Sequence, residues 1–69
     1  MRTLTGREFA RLVERHGWVL LRIQGSHHIF GKAGTAARLS IPIHGNKLLK
    51  AGLLHKLMRL AAIPDDELN

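Results

Sequence analysis

The chain has no cysteine and no tyrosine, two prolines, one tryptophan, two phenylalanines and five acidic side chains among its 69 residues. Without cysteine there is no disulfide framework, no thiolate–zinc site and no cysteine nucleophile, a usage that fits a reducing cytoplasm. The scarcity of acids excludes more. Two-metal nucleases hold their ions with clustered carboxylates, whereas Glu8 and Glu14 stand alone here until Asp65, Asp66 and Glu67 near the end of the chain. There is no phosphate loop ending in Gly-Lys-Ser/Thr and no Gly-x-Gly-x-x-Gly turn, which disfavours nucleotide-driven chemistry. No apolar stretch approaches the roughly 20 residues that span a bilayer. The opening Met1-Arg2-Thr3-Leu4-Thr5 runs into a helix signal rather than into the apolar core of a secretory leader. The expectation is a soluble, cytoplasmic protein. Repeats, low-complexity stretches and linkers are missing too, so residues 1–69 are expected to form one domain around a single core, with function on its surface rather than in deep pockets.

What is abundant is positive charge. Eleven Lys and Arg give a formal net charge of +6, and up to residue 62 they are opposed by Glu8 and Glu14 alone. Such an imbalance attracts a polyanion, and counterion release makes nucleic acid the first partner to consider, ahead of an anionic membrane surface or an acidic protein. Charge alone does not separate these from a merely basic soluble protein.

Thr5 with Glu8 three residues later is a capping box, which predicts a helix starting there and stopped by Gly17. Phe9, Leu12, Val13 and His16 fall on one narrow arc of it, and Arg7, Arg11 and Arg15 repeat at i, i+4, i+8 on the other side. From Trp18 to Gln24 the period becomes two: Val19, Leu21 and Ile23 alternate with Trp18, Leu20, Arg22 and Gln24, which predicts a strand with one buried face. Gln24-Gly25-Ser26 supplies a turn, His27 to Phe30 a second strand, and Gly31 to Thr35 a looser connection. A third strand, about Ala37 to Ile41, sets Leu39 and Ile41 against Arg38 and Ser40 and ends at Pro42, which has no N–H for a ladder. A loop over 43–47 leads to a helix with Leu53, Leu54, Leu57, Leu60 and Ala61 on its apolar face and His55, Lys56 and Arg59 on the other. Pro64-Asp65-Asp66-Glu67 begins one further turn. The order α-β-β-β-α predicts a two-layer α+β sandwich: a three-stranded antiparallel sheet covered on one face by two helices, its other face open.

Five histidines are the remaining anomaly. His16, in the last turn of the first helix, reads as structural, and His55 as a solvated helix residue. His27 and His28 are adjacent in a strand, so they point to opposite faces and cannot share one metal ion; no metal site is expected. Singly, a histidine beside a glycine turn among Arg and Lys is placed for general acid or base work near neutral pH. His44, followed by Lys47 and Lys50, forms a cluster that can hold a phosphate.

Gly25-Ser26-His27-His28-Ile29-Phe30, a strand running into Ile41-Pro42-Ile43-His44, and a Leu/Lys-rich helix from about Gly52-Leu53-Leu54 to Ala62-Ile63 resemble the HicA-type mRNA interferase toxins over nearly the whole chain. Relatives often carry Gly-Thr-Leu where this chain has Gly52-Leu53-Leu54. The resemblance implies the toxin of a type II toxin–antitoxin pair, an RNA-cleaving enzyme with a double-stranded-RNA-binding-like fold, neutralised by a HicB-type antitoxin. It also implies that the catalytic histidine is the one in Gly-Ser-His, which is His27.

Joined to the residues, this gives a metal-independent endoribonuclease acting on mRNA without a small-molecule cofactor. His27 moves the proton, and cationic side chains stabilise charge on the phosphorane. His44 and then His28 are the candidates for a second proton-transfer group. Arg7, Arg11, Arg15, Arg22, Ser26, Lys47 and Lys50 are the candidates for contacting RNA phosphates. Two other readings stay open. One is a nonenzymatic double-stranded-RNA-binding module that uses the first helix, the turn at residues 24–26 and the region 47–50; the other is a basic accessory protein whose main partner is another protein.

Overall fold

The computed structural model describes residues 3–68. Met1, Arg2 and Asn69, which the single-domain expectation includes, lie outside them. Helix α1 spans Gly6–Arg15, strands β1, β2 and β3 span Val19–Gln24, His27–Gly31 and Arg38–Pro42, helix α2 spans Ala51–Ala61, and a short 3-10 turn follows at Asp65–Leu68. The expected order is present. No described helix is long and apolar enough to cross a membrane.

Local chemistry sets the helix ends. The Glu8 N–H donates to Thr5 Oγ1 at 3.0 Å and the Thr5 N–H to Glu8 Oε1 at 2.9 Å, closing the capping box. At the other end Gly17 takes φ +92, and the N–H groups of Gly17 and Trp18 return to the carbonyls of Glu14 and Val13. That is a Schellman turn, which needs a left-handed residue after the helix. Helix α2 ends the same way, with the N–H groups of Ala62 and Ile63 donating to Arg59 and Met58, but Ala62 occupies the left-handed position at φ 56.

The three strands form one antiparallel sheet in the order β1-β2-β3. Residues paired across antiparallel strands share a face. The pairs Phe30 with Leu39 and His28 with Ile41 define the face turned to the helices, and His27 with Pro42 and Ile29 with Ser40 define the open face. Phe30, Leu39 and Ile41 pack with Phe9, Val13, Leu54 and Met58 in one core.

Strand β1 departs from expectation. Val19, Leu21 and Ile23, predicted to be its buried face, are 60%, 49% and 55% exposed, and every residue of the strand is exposed. The two helices lie over β3 and leave β1 uncovered. The register also slips between Leu20 and Arg22, so Leu21 bulges out and the two-residue alternation breaks there. The segment does reach the core, but through Trp18, which precedes the strand and is buried.

Candidate functional site

Four chain segments converge at the C-terminal end of β3. The Gly25-Ser26 turn, with Gly25 at φ +60, hands the chain from β1 to β2 so that His27 opens β2. That turn is fixed to the exit of β3, because the Ile43 N–H donates to the Ser26 carbonyl at 2.8 Å. Alternation then turns the Pro42 nitrogen to the free edge, where a missing N–H costs no ladder bond. Gly6, in the first turn of α1, lies so close to the Pro42 carbonyl that a β-carbon there would collide with it. The 44–49 loop is tied to the chain start by Leu49 N–H to Leu4 carbonyl and Thr3 Oγ1 to Leu49 carbonyl, both 2.8 Å.

On this frame His27 is exposed on the open face, and its Nδ1 lies 3.3 Å from Ser40 Oγ across the β2–β3 pair. The hydrogen bond occupies Nδ1 and leaves Nε2 as the nitrogen available to a substrate. His27, Arg38, Ser40 and Pro42 form one wall of a hollow whose other wall is Leu53, Lys56, Leu57 and Leu60 of α2. A second hollow, lined by His44, Lys47, Lys50 and Leu49, shares Pro42 and Leu53 with the first. The two hollows adjoin at Pro42 and Leu53 along the groove between β3 and α2, and no acidic residue lines either.

The predicted site residues separate in space. His27, His44, Lys47 and Lys50 line the groove. Arg22 pairs with Ile29, which places it on the open sheet face with His27, and Ser26 sits half-buried in the adjacent turn. His28 faces the helix side, half-buried beside Ile41, with a buried Nδ1 that has no hydrogen-bond partner among the described residues. It does not share the groove. Arg7, Arg11 and Arg15 are exposed on α1, opposite its buried Phe9 and Val13, and none of them lines the hollow that holds His27. Arg11 and Arg15 line a separate hollow with Glu8 and Glu67, where carboxylates offset their charge. His16 Nε2 pairs with Glu67 Oε1 at 3.2 Å and ties the end of α1 to the last turn, a structural role.

Arg38, Ser40 and Lys56 were not among the predicted site residues. The first two were within reach of the sequence, since alternation against Leu39 and Ile41 puts them on the open face with His27. Lys56 was not, because its place depends on how α2 crosses β3. Among the described residues no group of three or more His, Cys, Asp or Glu stands together as a metal site.

The model of the family described as HicA toxin of bacterial toxin–antitoxin matches residues 6–63, from the first residue of α1 to the turn that ends α2. No curated protein matches the chain.

Proposed function

The chain belongs to the HicA toxin family and is thus the toxin of a toxin–antitoxin system, and we propose that it is an endoribonuclease that cleaves mRNA in the cytoplasm. One observation carries this reading: the imidazole of His27 is exposed at the edge of a basic groove, with Nδ1 held by Ser40 and Nε2 available.

Nε2 of His27 takes the proton of a ribose 2′-hydroxyl as the 2′-oxygen bonds to phosphorus, or gives a proton to the 5′-oxygen as the phosphorus–oxygen bond to it breaks. The product of the attack is a cyclic phosphate on one fragment and a free 5′-hydroxyl on the other. Lys56, across the hollow from His27, can offset the charge that gathers on the phosphorane oxygens, whereas the Arg38 guanidinium donates to the Ala36 and Ala37 carbonyls beside Gly31, at the other end of the β2–β3 ladder. His44 is the better placed of the two candidates for the complementary proton transfer, because it lines the adjoining hollow while His28 faces the helix side. A HicB-type antitoxin neutralises the enzyme.

Incubating the purified protein with a defined RNA in EDTA tests the reading. Discrete fragments are expected. Intact RNA that is nonetheless retained by the protein contradicts cleavage and favours a duplex-binding module working through the exposed arginines of α1.

A further inference from the structure

We propose that the groove between the free edge of β3 and helix α2 seats a single strand of RNA, and that duplex RNA is not the substrate. This rests on the endoribonuclease reading above and assigns its substrate class.

The composition of the groove fits one strand. Its floor is aliphatic, made by Pro42, Leu53, Leu57 and Leu60, and its rims carry Arg38 and Lys56 at one end and Lys47 and Lys50 at the other. A single strand presents phosphates and unpaired base faces at once, and a basic channel with an apolar floor answers both. A paired duplex turns its bases inward and offers an apolar floor nothing to cover.

The position of His27 leads to the same substrate. In-line displacement requires the 2′-oxygen, the phosphorus and the 5′-oxygen to lie nearly on one line, and a stacked A-form strand holds its 2′-hydroxyl to the side of that line. The backbone must leave helical geometry before His27 can act, and a strand bent along the groove past Pro42 is free to do so. Duplex recognition works by shape and phosphate contacts over an extended surface. The residues suited to that, Arg11 and Arg15 on the exposed side of α1, line a separate hollow with Glu8 and Glu67, apart from the one that holds His27.

The test uses the unaltered protein and a 2′-O-methyl oligoribonucleotide, which cannot undergo 2′-oxygen attack, free or annealed to its complement. Fluorescence anisotropy is expected to give at least tenfold tighter binding of the free strand. Lys56→Glu and Arg38→Glu should each weaken that binding about tenfold, while Lys32→Glu, an equal change of charge outside the groove, should leave it within about threefold. Equal or tighter binding of the duplex overturns the proposal, as does an equal loss in all three variants or no binding of either form. Cleavage of the unmodified strand is read separately, so that a protein that prefers the single strand but cuts nothing contradicts the enzyme reading and leaves the groove assignment standing.

Discussion

The two edges of the sheet are built from similar apolar material and end differently. At the β3 edge Leu39 and Ile41 are fully buried, Pro42 removes the N–H from the outermost position, and α2 lies alongside to form the groove. At the β1 edge Val19, Leu20, Leu21 and Ile23 are all exposed, neither helix covers the strand, and the edge carries Arg22 as its one charge and no proline. Alternating apolar residues thus become core only where the apolar faces of the helices arrive, and those faces converge on β3. An uncovered apolar edge is a template for pairing with another strand, whereas the β3 edge is guarded and supplies the candidate chemistry.

The two edges should differ most in stability. Leu39→Ala, on the covered side, is expected to cost about 2–5 kcal/mol, a large part of the roughly 5–15 kcal/mol that holds a small domain together. Leu21→Ala, on the uncovered side, should stay within about 1 kcal/mol. Urea denaturation of both variants checks this, and equal losses would mean that β1 is covered after all.

Gly6→Ala sharpens the β3 side, because the added methyl meets the Pro42 carbonyl and must push α1 away from the end of β3. A loss of about 1–3 kcal/mol is expected, in the range of an overpacked contact. Ile23→Lys probes the other edge. It should leave the urea midpoint nearly unchanged and raise the concentration at which the protein begins to associate, as measured by light scattering; unaltered association would show that β1 is not the adhesive edge. The smallest effect concerns the end of the covering helix. Ala62→Gly relieves a left-handed alanine in a turn that prefers glycine and should add about 1 kcal/mol of stability.

Much of the fold is legible in the sequence because it is written locally. Thr5 with Glu8 marks the start of α1, Gly17 its end, Gly25 the hairpin, and the alternation around Leu39 and Ile41 the buried face of β3. These signals concern one or two turns of chain and the stereochemistry of single residues. The exposure of β1 is not local. Its alternation satisfies the same pattern as β3, and only the landing place of two helices, with the bulge at Leu21, decides that it stays open. The candidate site divides in the same way. His27 and His44 are visible from their turns, and Arg38 and Ser40 from strand alternation. Lys56 enters the groove only because α2 crosses β3 where it does, and the arginine stripe of α1, attractive from charge alone, is turned to solvent outside that groove by the packing of Phe9 and Val13.

If one outward-facing imidazole carries RNA scission, His27→Ala shows it when cleavage and folding are measured on the same preparation. Because His27 is exposed and contributes nothing to the core, the urea midpoint should hold while the single-turnover cleavage rate falls by about a hundredfold or more, the scale of a lost acid or base. A variant that cuts at the parental rate, or one whose lost activity comes with a lowered midpoint, would rule out His27 as the group that moves the proton.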